Sequence, residues 1–558
     1  MIMMKNYAKT ILSVALAIFM LAGCDSKEPE IQKEPVGNFA KCEITGYVTC
    51  DGKGIEGVTV SDGIEVTHTD EDGYYSFTSR KRYGYVFISV PGGYMCEMDG
   101  ALPQFWQTIK GKTQSEEHSF KLVHEDNDEH ILIASTDYHL ADRYSSQDIR
   151  CFDNLFIKDV NNLLAENTGK KVYNIVLGDM TWDIFWDTFS MTRYQAKARS
   201  FPLPSFHVIG NHDYDMTQTN DFKGENVYRK NLGPTFYSFN LGKCHYVVLD
   251  DMVYTNTITG GEATRSSDTY VSDEQLEWLV KDLENVSKDT PVFVCMHCSA
   301  YTIKSVSQSG LISVGLNFDS REHQTLLADI LKEYTNVHFL SGDTHLNQSI
   351  PRENMVQGHT HIYEHNIAAV CASWWWTNYE SGNSICKDGS EGGYMIFTNN
   401  DKNVSWQYKS MKYDISKQFH TYDFNTVKNF FETDPMAKKF FQIYPSREKY
   451  TNFGENDVLF NIWNWDPKWT VSVKENGTEL KVKQHYIEDP LHTISYDMPR
   501  TYTNGELTSS FRTIKTHHMF SVRASSATST LEFTVTDGFG NVHTETMIRP
   551  KAFNADMD

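Results

Sequence analysis

The sequence predicts an α/β fold for the middle of the chain, with a small all-β sandwich before it and a β-rich domain after it. In the middle, apolar strand runs such as ILIAST and YNIVLG alternate with amphipathic helical patterns. Before it, turn pairs such as Asp51-Gly52 and Asp72-Gly73 separate short alternating runs, and after it runs such as WTVSVKENG resemble strands again. A chain of 558 residues is too long for one hydrophobic core, which agrees with several domains.

The composition is that of a folded, acidic protein. Hydrophobic residues make up 40% of the chain and charged residues 22%, without the low hydrophobicity that marks disorder. The formal net charge of −22 argues against nucleic acid and anionic membrane surfaces as partners. An acidic protein that acts on phosphate groups needs local positive charge, which bound divalent cations would supply.

The first residues predict export and lipidation. Lys5 and Lys9 precede an apolar run over residues 11–21, so residues 1–23 are predicted to be a signal peptide. The phrase LAGC, which ends at Cys24, resembles a bacterial lipobox and implies a lipid on this thiol; the alternative is an ordinary secretory signal with a chance cysteine. A polar tether over residues 24–38 follows. We therefore expect a cell-envelope lipoprotein that faces the periplasm or the outer-membrane surface and touches the membrane only through its lipid anchor.

Three domains are predicted after the tether. Residues 39–125 form the all-β sandwich, which resembles carboxypeptidase-regulatory or transthyretin-like modules. Residues 126–408 form the α/β domain, and residues 409–558 form the C-terminal β-rich domain, with a helix expected around residues 434–444. Nine cysteines remain besides Cys24, an odd number at irregular spacing, so a full disulfide framework is not expected. Pairing of Cys42 with Cys50, or of Cys371 with Cys386, stays open.

Metal-capable side chains follow five of the predicted strands of the α/β domain. In α/β sheets ligands gather outside the carboxyl ends of the strands, so these positions are expected to meet at one site. Each motif alone is weak, because Asp, Asn and Gly also favour turns. In chain order the five strand ends carry Asp137 and His139; Asp179; Asn211, His212 and Asp213; His297; and Asp343 and His345.

The order of these motifs, DxH, GD, GNHD, a lone His and GxxH, resembles the calcineurin-like metallophosphoesterase superfamily over about residues 128–405. The phrases IYEHN, SWWW and VTDGFGN further resemble the large lipoprotein phosphoesterases of Bacteroidetes. The resemblance implies a β-sandwich with flanking helices, an αββα arrangement. It also implies a hydrolase that uses two divalent or trivalent metal ions, drawn from Mn, Fe, Zn and Mg.

The resemblance implies seven metal ligands: Asp137 and His139 on the first metal, Asp179 bridging both, Asn211 and His297 on the second, and Asp343 and His345 from the fifth motif. In the family the fifth motif is G-H-x-H, so Asp343 stands where a histidine is usual. A carboxylate there is a competent ligand, and it shifts the preference toward Mn, Mg or Fe over Zn.

The activity that the resemblance implies is hydrolysis of phosphate mono- or diesters by a hydroxide that the two metals activate. His212 would donate a proton to the leaving group, and Asp213 would orient the His212 imidazole. The substrate would be a phosphorylated small molecule or glycan. The alternative function is a non-catalytic, ligand-binding surface lipoprotein whose phosphoesterase domain is degenerate.

Two features of the sequence compete with or extend this interpretation. His359 and His361 spell the family's fifth motif in full, but a polar stretch precedes them, so the strand-borne pair Asp343 and His345 is favoured. Trp182, Trp186 and residues 374–376 follow catalytic strands, and they are expected either to wall the substrate cleft or to pack in the core.

Overall fold

The computed structural model describes residues 42–111, 113–260, 262–307, 312–447, 450–507 and 510–555. The predicted signal peptide, the predicted tether and Cys24, the predicted site of lipidation, lie outside these residues. In the part of the chain that is described, no helix combines the length and the apolar character needed to cross a bilayer.

The N-terminal module consists of two packed sheets. Its strand Cys42–Cys50 alternates buried and exposed side chains, as expected for a strand with one face on a core. Two short strands, Met98–Asp99 and Leu102–Pro103, pair beside the two sheets. The first sheet contains Cys42–Cys50, Lys53–Gly54, Tyr74–Ser79, Tyr94–Cys96, Glu116–Glu117 and Phe120–His124, and the second contains Thr59–Ser61, Val66–His68, Tyr85–Ile88 and Trp106–Thr108.

Two sheets also form the centre of the α/β domain. Strands within each sheet that carry predicted site residues at their ends run parallel, so their carboxyl ends lie at one edge. In spatial order the first sheet contains Ser205–Val208, Lys171–Leu177, Glu129–Ser135, Gly393–Asn400 and Asn403–Ser410. The second contains Tyr237–Leu241, Cys244–Val248, Val292–Cys295, Val337–Ser341, Ile362–Asn366 and Gln348–Ile350. Three ribbons pair Met252–Tyr254 with Ser267–Thr269, Ile258–Thr259 with Glu262–Ala263, and Tyr301–Val306 with Ile312–Leu316.

Helices accompany these sheets, and the predicted α/β, αββα class is confirmed. One amphipathic helical segment is continuous over residues 147–166 but has a π-helical stretch in its middle, and it buries Phe152, Phe156, Val160 and Leu163. The helices of the domain are Gln147–Cys151, Phe152–Ile157, Lys158–Glu166, Asp183–Phe185, Met191–Ala198, Asp221–Gly224, Asn226–Leu232, Asp273–Asp282, Leu283–Asn285, Arg321–Leu331, Arg352–Asn354 and Trp376–Ser381.

The C-terminal region contains two four-stranded sheets and a helical layer. The helix expected around residues 434–444 is present as Pro435–Ile443, and the Asp434 side chain caps its first turn. The strands are Phe419–Asp423, Asp457–Ile462, Lys515–Arg523 and Lys483–Glu488, and then Thr478–Glu479, Thr470–Glu475, Leu531–Thr536 and Val542–Met547. The helices are Phe424–Thr433, Pro435–Ile443, Pro490–His492, Thr493–Asp497 and Met498–Asn504.

Buried contacts join the three regions. The Trp278 indole donates to the Ser61 hydroxyl of the N-terminal module at 3.2 Å and packs on Phe87 of that module. On the other side, the His518 imidazole of the C-terminal region lies 3.1 Å from the Asp388 carboxylate.

The nine cysteines within the described residues are buried thiols, and no disulfide joins them. The strand pair Gly393–Asn400 and Asn403–Ser410 belongs to the central sheet, while the predicted domain boundaries themselves stay predictions.

Trp278→Ala tests whether the N-terminal module is fixed to the α/β domain. The ring is 1% exposed, and removing it leaves a cavity at the junction, so we expect a loss of about 3–5 kcal/mol in the free energy of unfolding. Urea unfolding followed by fluorescence measures this change. The control is Ile548→Ala, whose side chain is 74% exposed and whose effect should stay within about 0.5 kcal/mol.

Candidate active site

Loops after five parallel strands meet at one end of the central sandwich. Three of the strands belong to the first sheet and two to the second, so the loops face one another across the gap between the sheets. The backbone of these loops turns sharply. Five of the predicted ligands have φ in the left-handed region, which L-residues adopt at a cost and which clusters at functional sites: Asp137 (53°), His139 (43°), Asp179 (52°), Asp343 (61°) and His345 (54°).

Glycines in two of the motifs allow the loops to approach closely. A Cβ at Gly210 would lie 2.2 Å from the Asp179 amide nitrogen, and one at Gly342 would lie 1.9 Å from the Thr136 hydroxyl. Both glycines therefore leave room for a neighbouring loop, which is a physical reason for glycine before Asn211 and before Asp343.

One half of the site is a buried group of carboxylates and imidazoles. The Nε2 atoms of His139 and His345 are 3.1 Å apart. The Asp137 Oδ1 atom lies 3.2 Å from His345 Nε2 and 3.5 Å from His139 Nε2. Asp179 Oδ2 lies 3.4 Å from His139 Nε2 and completes this half.

The other half shares Asp179 with the first. Asp179 Oδ2 is also 3.4 Å from His297 Nε2. The Asn211 Oδ1 atom lies 2.9 Å from the same His297 nitrogen, and Asp343 Oδ1 lies 3.7 Å from it. The structure thus brings together all seven residues for which the sequence predicts metal ligation, in two adjoining groups with one carboxylate between them.

Hydrogen bonds fix which imidazole nitrogens face the centre. His297 Nδ1 lies 2.7 Å from the Leu177 carbonyl oxygen, and His345 Nδ1 lies 2.7 Å from that of Ala372. A carbonyl only accepts, so both Nδ1 atoms must donate, and in the neutral ring Nε2 keeps its lone pair. Among the described residues, the buried Asp137 Oδ1 atom has no hydrogen-bond partner. Lone pairs and an unpartnered carboxylate oxygen that converge in this way fit metal ions.

The charges of the site favour a cation. Burial alone would raise the pKa of the Asp137 carboxyl, but His345 and His139 lower it well below its ordinary value. Burial lowers the pKa of the His139 imidazole to about 4. Burial also opposes charge on His297, but Asp179 and Asp137 outweigh it and raise that pKa well above its ordinary value. The carboxylates therefore attract positive charge into a largely buried site.

His212 lies at the rim, and its partner differs from the sequence prediction. The His212 Nδ1 atom is 2.6 Å from Asp183 Oδ1, and Arg265 holds the Asp183 carboxylate with two hydrogen bonds of 2.5 and 2.9 Å. Burial alone would lower the pKa of the His212 imidazole, but Asp179 and Asp183 raise it.

The predicted role of Asp213 in orienting His212 was wrong. The Asp213 carboxylate accepts hydrogen bonds from the backbone amides of Met180, Thr181 and Gly210 at 3.0–3.3 Å. It therefore joins the loop that carries Asp179 to the loop that carries Asn211. Asp183 comes four residues after Asp179, and this spacing is only a weak indication that Asp183 is the partner of His212.

His359 and His361 lie apart from the cluster, in agreement with the preference for Asp343 and His345. The His359 imidazole is 2.7 Å from the Tyr301 hydroxyl, and His361 Nε2 is 3.0 Å from the Ala328 carbonyl oxygen. One ring nitrogen of each histidine therefore contacts a neighbouring element, a strand for His359 and a helix for His361.

Aromatic residues and one lysine surround the site. Trp374 lies 3.8 Å from the His139 ring and 4.6 Å from Trp182, measured between ring centroids. Trp375 is instead a core residue that is 1% exposed. Lys387 is half-buried, and burial lowers the pKa of its amino group. The carboxylates of Asp343 and Asp137 oppose this fall, because they lie close to the amino group. The sequence analysis did not single out Lys387, because no motif surrounds it.

Several solved structures are similar to this chain at low identity and low TM-score. A dimetal phosphatase from Danio rerio is 12% identical, with 50% of this chain and 96% of that chain covered and a TM-score of 0.33. A 5'-nucleotidase from Candida albicans is 9% identical (68% and 79% covered, TM-score 0.29), and the NAD nucleotidase of Haemophilus influenzae is 9% identical (50% and 49% covered, TM-score 0.25). The match thus spans about half the length of the last protein. Likenesses at these TM-scores carry no argument about substrate, and no curated protein matches the chain.

Three family models match the chain in sequence order. Residues 42–125 match the N terminal of calcineurin-like phosphoesterase, residues 132–363 match calcineurin-like phosphoesterase itself, and residues 364–543 match the C terminal of calcineurin-like phosphoesterase. Together they span residues 42–543 with a gap only at residues 126–131. The chain therefore belongs to the calcineurin-like phosphoesterase family and is a metal-dependent phosphoester hydrolase.

Proposed function

We propose that this phosphoesterase hydrolyses mono- or diesters of a phosphorylated small molecule or glycan in the cell envelope, with two metal ions held by the seven-residue cluster. One observation carries the proposal. Nε2 lone pairs and carboxylate oxygens converge around Asp179, and the His212 imidazole lies beside them with its Nδ1 atom 2.6 Å from Asp183. The arrangement provides places for cations and a separate proton donor.

In this proposal Asp137, His139, Asp179 and His345 hold one ion, and Asp179, Asn211, His297 and Asp343 hold the other. When bound, two such ions polarise phosphate oxygens and make a hydroxide nucleophile available near neutral pH. The protein's own residues do the rest. Asp183 fixes the His212 ring so that Nδ1 faces Asp183 and Nε2 is left to give a proton to the leaving-group oxygen.

The surroundings of His212 favour an organic leaving group with an apolar face. Trp374 and Trp182 both lie near the His212 ring, with centroids 5.2 and 6.2 Å away. A leaving group that takes its proton from His212 would therefore contact these rings. Lys387 adds a positive charge near Asp343, which suits a phosphate that approaches an otherwise acidic protein.

The location outside the cytoplasm rests on the sequence alone. The apolar run over residues 11–21 and the LAGC phrase support export followed by lipidation at Cys24. The acidic polypeptide would then stay near the membrane through its anchor while the tether separates the catalytic domain from the lipid surface.

His212→Ala should lower kcat by about 10²–10⁴-fold, because the leaving group loses its proton donor. The loss should be larger for an alkyl phosphate ester than for p-nitrophenyl phosphate, since p-nitrophenolate leaves without help. Elemental analysis should find the same metal content in the variant and in the wild type. An equal loss of kcat on both esters would contradict the role of His212 as a proton donor.

Asp183→Asn and Asp213→Asn separate the two candidate partners of His212. Asp183→Asn should reproduce the leaving-group dependence of His212→Ala, because it removes the anion that orients the ring. Asp213→Asn should instead lower the midpoint of thermal unfolding, because it weakens the bonds between two loops. Exposed Asp187 lies on the same loop as Asp183, and Asp187→Asn serves as the control. A leaving-group dependence in the Asp213 variant alone would instead support Asp213 as the residue that orients the His212 imidazole.

Cys24→Ser tests the proposed anchor. Without the thiol no lipid can be attached, so the variant should move from the membrane fraction to the soluble fraction after cell lysis, with unchanged hydrolysis of p-nitrophenyl phosphate. Ser26→Ala, two residues further on, should remain with the membranes. A wild-type chain found in the soluble fraction would contradict the lipoprotein proposal.

A further inference from the structure

The two halves of the ligand cluster differ in how well the protein covers them. In the half around His139, the residues Asp137, His139 and His345 are at most 1% exposed. In the half around His297, the Asp343 side chain is 41% exposed and Asn211 is half-buried. One half is therefore closed, and the other opens to solvent through Asp343 and Asn211.

The Trp374 ring is the cover of the closed half. Its centroid lies 3.8 Å from the His139 ring and 4.9 Å from the His345 ring, with an angle of 15° to the latter. Among the ring contacts of the described residues, Trp374 also reaches His212 but does not reach His297. The indole thus lies over both imidazoles of one half and not over His297.

The turn that carries this ring is held in an unfavourable backbone conformation. Ala372, Trp374 and Trp375 all have φ between 52° and 63°, a region that costs L-residues about 1 kcal/mol or more each. Such residues persist only where the surroundings enforce them. The strain therefore indicates that the surrounding structure fixes the backbone of Trp374 in this position.

Contacts from three directions enforce the turn. Arg143 Nη2 donates to the Trp374 carbonyl oxygen at 2.9 Å. On one side of Trp374, the Trp375 indole donates to the Tyr138 carbonyl oxygen at 2.8 Å. On the other side, the hydroxyl of Ser373 lies 2.7 Å from His492 Nε2. Movement of this turn would break these bonds, so the backbone holds the Trp374 ring beside the two imidazoles.

The two halves also differ in the atoms that they offer to a metal ion. The closed half offers two imidazole nitrogens together with carboxylate oxygens, a set that suits Zn²⁺. The open half offers one imidazole, the Asn211 amide oxygen and the carboxylates of Asp179 and Asp343, a set richer in oxygen that suits Mg²⁺ or Mn²⁺.

We infer that Trp374 traps one metal ion in the closed half, whereas the open half, with Asp343, exchanges its ion with the surroundings. The inference rests on the two-metal function proposed above. It makes Trp374 a positioning residue and makes the activity depend on the free concentration of a divalent cation outside the protein.

The test measures release of metal from the mature protein loaded with Zn²⁺. After addition of a coloured chelator, release should occur in two phases of one equivalent each. Trp374→Ala should speed the slow phase by about tenfold or more and leave the fast phase unchanged, since groups that surround metal ligands contribute about 10–100-fold to metal retention. Trp374→Phe, which keeps an aromatic ring over the imidazoles, should restore most of the slow release.

Two further variants serve as matched comparisons. Trp469→Ala removes the same side chain from the C-terminal region, where the half-buried ring packs on the core of that region, so both phases should stay as in the wild type. Asp343→His should slow only the fast phase for Zn²⁺, because it gives the open half a second imidazole. Circular dichroism spectra like that of the wild type establish that each variant is folded.

Release of two equivalents in a single phase, or an unchanged slow phase in Trp374→Ala, would overturn the inference and leave the two-metal function standing. A chain that retains no metal before the chelator is added would overturn both. Two phases that respond separately to Trp374 and Asp343 would support both.

Discussion

The arrangement of the site depends on the Asp179 carboxylate. One of its oxygens faces His139 and His297 at 3.4 Å, and the other accepts the His212 backbone amide at 2.8 Å. A single side chain thus contacts both halves of the ligand cluster and also the loop that carries the proposed proton donor. Because this carboxylate is buried, its negative charge must be balanced within the site, by the surrounding imidazoles and amides and by the metal ions that the cluster would hold.

Much of the fold, and the set of residues that meet in the cluster, could be predicted from the sequence, because both depend on short-range patterns. Apolar runs that end in Asp, Asn or His identify strands and their carboxyl ends, and parallel strands bring those ends to one edge. The choice of Asp343 over His359 rested on the apolar run before it, and the structure places Asp343 in the cluster and His359 beside Tyr301. The π-helical stretch at Phe152–Ile157 was not predicted, since its side-chain pattern hardly differs from that of an α-helix.

The partners of the ligands were harder to predict, because they depend on contacts between distant loops. Asp213 follows His212 directly, yet its carboxylate turns toward the amides of the neighbouring loop, and Asp183 from that loop reaches the imidazole instead. Arg265 and Lys387 have no motif around them, and only the packing of the loops brings them near the site. Adjacent positions in a sharp turn point in different directions, so neighbours in sequence are poor guides to neighbours in space.

The hydrogen bond between Ser373 and His492 has a consequence for how such a protein could be assembled from parts. The strained turn belongs to the α/β domain, but the imidazole that supports it comes from the C-terminal region, more than a hundred residues later. The Phe511 ring, also from that region, packs on Trp374 at 5.3 Å. An exchange of the C-terminal region for an unrelated one would therefore alter the active site itself, so the regions of this chain are not interchangeable modules, and change in one must be matched by change in the other.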